Sequence, residues 1–255
     1  MGILDSFRLD GKTAIVTGCS RGLGQGISLA LAEAGANIFG VGINPDASVT
    51  KDMVEKTGAR FVYFPANLQT IEPVEKIFEQ AVNVFGSVDI LVNNAGIIKR
   101  NDAVDFTEAE WDDVIDTNLK TVFFMCQAAA RQFIKQKTGG KIINIASMLS
   151  YQGGIRVPSY TASKSGVKGI TMLMANEWAK YGINTNAIAP GYMETDNTEA
   201  LRADRQRSEE ILARIPANRW GKPQDLAGAA VFLASAASDY INGFTIAVDG
   251  GWLAR

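Results

Sequence analysis

The sequence predicts an α/β fold: a single-domain, Rossmann-type, doubly wound parallel sheet of about seven strands with helices on both faces. Short apolar runs alternate along the chain with longer stretches whose apolar residues recur at helical spacing. Such alternation is typical of a parallel sheet that helices cover on both sides. No linker composition and no internal repeat divides the 255 residues, so one domain, 1–255, is the simplest organisation.

The predicted strands are 13–16, 37–41, 60–65, 90–92, 141–145, 185–189 and 245–248. Helical spacing predicts helices over 22–34, 71–85, 108–136, 160–180 and 224–236. Thr107 and Glu110 form a capping-box pattern that opens the third of these helices. The polar stretch 192–219 breaks the alternation after the sixth strand, so we expect it to be a lid over a substrate site.

Composition excludes several classes of function. A net charge of −2 does not favour nucleic-acid binding, and no apolar run reaches the ~18 residues of a membrane span. The first residues lack a signal-peptide pattern, so we expect a cytoplasmic protein. Cys19 and Cys126 form no C-x-x-C pair, so we expect neither a metal site nor a disulfide. The absence of histidine excludes a Ser-His-Asp triad and leaves catalysis to other side chains or a cofactor.

A glycine-rich loop, TGCSRGLG at 17–24, joins the first predicted strand to the first helix. Gly18 permits a tight turn, and Gly22 and Gly24 let the backbone approach a pyrophosphate at the helix N-terminus. A glycine-rich turn that merely starts a helix is the alternative. The loop lacks the Gly-Lys-Ser/Thr of a Walker motif, which disfavours ATP.

Three further motifs follow in order: NNAG at 93–96, Ser147 after the fifth strand, and YTASK at 160–164. Tyr160 and Lys164 lie four residues apart and so share one face of a helix. With the TGxxxGxG loop, this set resembles the short-chain dehydrogenase/reductase family over nearly the whole chain. The resemblance implies a nicotinamide cofactor that carries hydride and a tyrosine that transfers the proton.

The resemblance also implies individual roles. Tyr160 is the proton donor or acceptor, Ser147 orients the reacting carbonyl, and Asn118 supports a proton relay with Lys164. A free tyrosine titrates near pH 10, so we expect the Lys164 ammonium to lower the pKa of Tyr160. The residues implied to bind the cofactor are Gly18, Ser20, Arg21, Gly22, Leu23, Gly24, Asn44, Asn67, Leu68, Asn94, Ala95, Gly96, Tyr160, Lys164, Pro190, Gly191 and Thr195.

The choice between NAD(H) and NADP(H) depends on two positions. The second strand usually ends in an acid that binds the adenosine ribose, but here that place falls on Gly42. Arg21 is either a ligand for a 2′-phosphate or a solvated loop residue. One arginine is thin support for NADP(H), so NAD(H) is favoured and NADP(H) is the alternative.

The active-site stretches resemble family members that reduce keto-sugar acids in uronate catabolism. An anionic substrate needs a cation, and the candidates are Arg156, Arg100 and the lid residues Arg202, Arg205 and Arg207. The alternatives are a reductase of another carbonyl, such as gluconate 5-dehydrogenase or 3-oxoacyl carrier-protein reductase, or a silent nucleotide-binding regulator. The resemblance implies a homotetramer. The expected substrate residues are Ser147, Gln152, Arg156, Tyr160 and Tyr192.

Overall fold

Seven parallel strands form one sheet in the computed structural model, which describes residues 2–255 apart from the side chain of Asn197. The spatial order is β3-β2-β1-β4-β5-β6-β7, which confirms the predicted doubly wound sheet. The strands are β1 Thr13–Thr17, β2 Asn37–Gly42, β3 Phe61–Pro65, β4 Ile90–Asn93, β5 Gly140–Ile145, β6 Ile183–Pro190 and β7 Thr245–Val248.

Helices cover both faces of this sheet because successive strand residues point to opposite sides. Ile15 packs into a core with α3 (Val74–Phe85), α5 (Thr121–Gln136) and α6 (Pro158–Trp178). Its neighbours Ala14 and Val16 pack into the opposite core. The helices on that side are α1 (Gly22–Glu33), α2 (Ser48–Glu55) and α9 (Ala227–Ala234).

The structure differs from the sequence prediction at several helices. Helix α2 was not predicted, because only Thr50 and Val54 of its residues are buried and no apolar face stands out. The predicted helix 108–136 contains a π-helical turn, Asp116–Lys120, between α4 (Glu108–Ile115) and α5. The Thr107–Glu110 capping box opens α4 as predicted. The predicted helix 224–236 is a 3₁₀ turn, Pro223–Leu226, followed by α9.

The strand order reverses between β1 and β4, which creates a crevice at the carboxyl ends of these strands. The loops after β1, β4 and β5 therefore meet at one edge of the sheet. Within the described residues, none of the helices is long and apolar enough to cross a membrane.

The stretch 192–219 leaves the sheet after β6 and returns beside its own start, where Met193 bridges Gly221. It carries two helices, α7 (Glu199–Ala203) and α8 (Arg205–Arg214), that sequence periodicity did not predict. Beneath them lies a small apolar cluster that includes Ile211 and Trp252. Its role as a substrate lid stays a prediction.

Candidate active site

A cleft of about 620 Å³ runs along the crevice from the glycine-rich loop to Tyr160. Most of the side chains and backbone segments implied to bind a cofactor line this one cleft. They are Gly18, Ser20, Arg21, Gly22, Leu23, Asn44, Asn67, Leu68, Asn94, Ala95, Gly96, Tyr160, Lys164 and Thr195.

The glycine-rich loop is held against β4 by close packing that only glycine permits. Gly18 adopts a left-handed backbone conformation with φ of 66°, and a Cβ on Gly24 would clash with the Gly18 carbonyl oxygen. Asn94 Nδ2 donates to the carbonyls of Thr17, at 2.9 Å, and Gly18, at 3.1 Å. Helix α1 begins at Gly22, so its unpaired N–H groups face the cleft, where they fit a pyrophosphate.

Three of the predicted cofactor residues do not line the cleft. Gly24 packs inside the loop, as described above. Pro190 ends β6, and the Gly191 N–H donates to the Val248 carbonyl, so both residues sit in the sheet. Thr195 does line the cleft, where it caps a 3₁₀ turn, Asp196–Thr198.

Gly42 stands at the carboxyl end of β2, where an acid would otherwise bind the adenosine ribose, and a larger side chain there would meet Tyr63. The hydroxyl of Tyr63 lies 2.9 Å from where a Cβ on Gly42 would be, and it donates to the Asn44 carbonyl. Asn67 folds onto its own turn, where its Oδ1 accepts from the Gln69 N–H at 3.0 Å. The pocket wall here is therefore backbone and neutral side chain, with Ile43 exposed beside it.

Arg21 does not stand alone in the solvent. Its Nη1 lies 2.5 Å from Oδ2 of Asp196, at the start of the predicted lid. The ion pair joins the glycine-rich loop to that segment across the cleft, which both residues line.

Ser147 and Tyr160 lie close together although they are thirteen positions apart in the sequence. Ser147 follows β5, and its Oγ accepts from the Leu149 N–H at 3.1 Å. Tyr160 lies in the first turn of α6, which begins at Pro158, a favoured first helical residue. The Ser147 hydroxyl lies close enough to Tyr160 to lower the pKa of its phenol. The pair can therefore present two O–H groups to one carbonyl oxygen.

Lys164 lies one turn further along α6 and is only 5% exposed. Its Nζ donates to the Ile145 carbonyl at 2.6 Å and lies 5.7 Å from the centre of the Tyr160 ring. Burial lowers the pKa of Lys164 to about 8. The ammonium form of Lys164 is therefore less stable, relative to the neutral amine, than that of a lysine exposed to solvent.

The electrostatics of Tyr160 differ from the expectation. Burial raises the pKa of Tyr160, while the Ser147 hydroxyl and the Arg100 charge act in the opposite direction. The Lys164 Nζ makes its hydrogen bond to the Ile145 carbonyl. Tyr160 is thus a protonated phenol at neutral pH, a state that suits proton donation.

Asn118 sits in the π-helical turn and is fully buried. Its Oδ1 accepts from the Ile97 N–H and its Nδ2 donates to the Ile97 carbonyl, both at 2.8 Å. The side chain therefore holds the loop after β4 in place. Single π-helical turns within helices are frequent at functional sites. The role of Asn118 in a proton relay with Lys164 stays a prediction.

Three of the expected substrate residues, Gln152, Arg156 and Tyr192, do not line the cleft and contact other groups. Arg156 is exposed and its Nε lies 3.0 Å from Oδ1 of Asp102, so it does not line the cleft. Gln152 instead accepts from Arg214, a residue that sequence reasoning did not single out. Tyr192 follows β6 and packs against Trp220 and Trp252.

Sequence reasoning also missed part of the cleft wall. Lys99 pairs with Asp113 at 3.2 Å, and both line the cleft. These residues follow β4 or lie on α4, so only the tertiary fold brings them to the cofactor side. The other lining residues, which were not among the expected cofactor-binding residues, are Gly42, Ile43, Ala66, Gln69, Ile97, Thr117, Ile145 and Asp196.

The sequence profile described as enoyl-(acyl carrier protein) reductase matches residues 18–253. With this match, the sheet and the Ser147–Tyr160–Lys164 arrangement, the chain belongs to the short-chain dehydrogenase/reductase family. It is an NAD(P)-dependent oxidoreductase that acts on CH-OH groups. Among residues 2–255 there is no cluster of three or more Cys, Asp or Glu side chains that could hold a metal.

Relatives that match this chain over their full length show which members of the family it resembles. The chain is 64% identical to 2-dehydro-3-deoxy-D-gluconate 5-dehydrogenase of Escherichia coli K12, over 99% of this chain and 100% of the relative. It is 65% identical to the protein of that name from Dickeya dadantii, with the same coverage. A Burkholderia cenocepacia gluconate 5-dehydrogenase, solved with NADP and tartrate, is 40% identical with a TM-score of 0.94 over the full length of both chains.

Proposed function

We propose that this enzyme reduces the C5 ketone of 3-deoxy-D-glycero-2,5-hexodiulosonate to 2-dehydro-3-deoxy-D-gluconate during hexuronate catabolism. The observation that carries the proposal is the full-length identity of 64% to an enzyme named for this product, combined with an intact Ser147–Tyr160–Lys164 arrangement.

The chain's own groups account for the proton chemistry. The bound nicotinamide cofactor supplies the hydride. Ser147 donates to the ketone oxygen and holds it beside Tyr160, which donates its proton as negative charge develops there. Lys164 is positioned to hold the ribose hydroxyls and to stabilise the phenolate that Tyr160 becomes. Because burial raises the pKa of Tyr160, its phenol is protonated at neutral pH and can donate the proton that reduction requires.

We propose NAD(H) as the preferred cofactor. At the adenosine end of the cleft, the residues after β2 are Gly42, Ile43 and Asn44, and none of the three is a cation. The nearby Arg21 forms an ion pair with Asp196. The structure of a relative with bound NADP makes NADP(H) the alternative.

The Arg21–Asp196 pair makes the cofactor proposal testable. We expect wild-type kcat/KM to be higher with NADH than with NADPH. D196N releases Arg21, so it should raise kcat/KM with NADPH severalfold and leave the NADH value within about fivefold, because exposed ion pairs contribute at most ~1 kcal/mol. Steady-state kinetics with both cofactors measures this.

The control for that experiment is K51M, which changes an exposed lysine outside the cleft. A wild-type preference for NADPH that R21M abolishes would contradict the proposal, because Arg21 would then bind the 2′-phosphate.

A second candidate function is reduction of 5-keto-gluconate, which the likeness to gluconate 5-dehydrogenase favours. Both functions need the same catalytic residues, so kinetics must separate them. The test is a panel of keto-sugar acids with NADH and NADPH, in which kcat/KM ranks the substrates.

We also propose the homotetramer that the family resemblance implies. Exposed apolar side chains at Tyr240 and Phe244, close to β7, agree with an interface there. Sedimentation should give about four times the 27.4 kDa chain mass, and a monomer mass would contradict this.

A further inference from the structure

Tyr192 lies in an aromatic cluster beside the predicted lid. The Tyr192 ring packs edge-on against Trp220, with ring centroids 5.4 Å apart, and against Trp252, at 4.8 Å. Tyr192 lies two residues after β6, which pairs with β5, the strand that precedes Ser147.

Arg214 is the cation that packs against this aromatic cluster. Its guanidinium carbon lies 4.0 Å from the centre of the Trp252 ring, and its Nη2 donates to Gln152 Oε1 at 3.3 Å. Gln152 lies five residues after Ser147, so Arg214 joins the end of α8 to the catalytic loop. Among the described residues, no carboxylate lies within ion-pair distance of Arg214.

The end of the chain holds this arginine in place. Arg255 Nη2 donates to the carbonyl of Arg214 at 2.7 Å and to that of Ala213 at 3.0 Å. Trp252 is 4% exposed, and its Nε1 has no hydrogen-bond partner among the described residues. The segment after β7 therefore packs against Arg214. It also carries an indole N–H that has no hydrogen-bond partner among the described residues.

Positive charge converges on the Tyr192 hydroxyl. Arg207, Arg214 and Arg100 each act to lower the pKa of Tyr192, against the burial that raises it. Arg100 acts on the pKa of Tyr160 in the same way, so this arginine lies near both tyrosines.

The other candidate arginines face acids or backbone. Arg156 pairs with Asp102, Arg205 with Glu209 and Arg207 with Glu210. Arg202 donates to the Thr195 carbonyl.

We propose that Arg214 is the carboxylate-binding residue of the enzyme, with Trp252 as its positioning residue and the Tyr192 hydroxyl as a second donor. The inference rests on the proposed function in requiring an anionic keto-sugar acid. A guanidinium stacked on an indole is held in one plane, which suits a bidentate contact with a carboxylate. Arg100 adds positive charge near both Tyr192 and the proton donor Tyr160.

The test compares the keto-sugar acid with its methyl ester, which keeps the ketone and removes the charge. R214M should raise KM for the acid by about 10- to 150-fold, the range of a charged hydrogen bond of ~1.5–3 kcal/mol. We expect kcat to change little, because substrate and transition state lose the contact equally. KM for the ester and the dissociation constant of NADH should stay within about twofold.

Two further variants separate positioning from folding. W252F keeps a ring under Arg214 and should retain most of the affinity for the acid, whereas W252L should raise KM for the acid more than KM for the ester. R131M, at an exposed arginine of α5 outside the cleft, should change neither value.

The outcomes distinguish this proposal from the proposed function. An R214M variant that leaves KM for the acid unchanged, or that raises KM for acid and ester equally, overturns the assignment of Arg214 while the sugar-acid function stands. A wild-type enzyme that reduces no keto-sugar acid overturns the proposed function itself.

Discussion

Replacing Tyr160 by phenylalanine is expected to lower kcat for ketone reduction by about 10³-fold. The substitution keeps the ring in α6 and removes only the hydroxyl that donates the proton, and positioned general acids contribute typically ~10²–10⁴-fold. The dissociation constant for NADH should stay within about twofold, because the rest of the cleft is unchanged. Stopped-flow turnover and titration of NADH fluorescence measure the two effects separately.

The control for this variant is Tyr181→Phe, which removes an exposed hydroxyl just after the same helix. It should retain wild-type kcat. A Tyr160→Phe enzyme that keeps more than a tenth of wild-type activity would show that another group donates the proton.

Lys164 is expected to set the alkaline limit of the enzyme. Its pKa is about 8 because burial disfavours the ammonium, so the group loses its charge as the pH rises through 8. At saturating keto-sugar acid, kcat/KM for NADH reports the enzyme without cofactor. It should be flat between pH 6 and about 7.5 and then fall by about tenfold per pH unit. A profile that stays flat to pH 9.5 would contradict this role.

The K164M variant separates chemistry from folding. Lys164 titrates near 8 in the folded chain and near 10.5 when unfolded, so its buried charge destabilises the fold at neutral pH. Between these two pH values the unfolded state binds more protons, and the free energy of unfolding therefore rises with pH. K164M should be at least as stable as wild type at pH 7 and yet lose activity by about 10²-fold or more. A lower melting temperature together with the lost activity would indicate a structural role.

The apolar periodicity of the sequence predicted the elements whose side chains are buried in the core. The strands are buried on both faces and appear in the sequence as short apolar runs, such as Ile90–Asn93. Helix α2 lacked such a signal because few of its side chains are buried. The helices α7 and α8 are polar on most sides and pack only on a small cluster, so their sequence looked like an irregular loop.

The same distinction applies to the site. Tyr160 and Lys164 share one helix, and their spacing alone places them together. Arg214 had no such signal, because its partner Gln152 lies 62 residues away in sequence and its other contact is the end of the chain. The Arg21–Asp196 pair likewise exists only once the lid segment folds back over the glycine-rich loop. Contacts of this kind follow from tertiary packing and not from any local pattern.

The most direct test of the function is NADH oxidation by purified enzyme with three ketones at equal concentration. They are 3-deoxy-D-glycero-2,5-hexodiulosonate, 5-keto-D-gluconate and an acetoacetyl thioester. We expect the highest kcat/KM for the first, with 2-dehydro-3-deoxy-D-gluconate as the product and no rate with Tyr160→Phe above about a thousandth of wild type. A higher kcat/KM for the thioester, or no oxidation of NADH or NADPH with either sugar acid, would contradict the account.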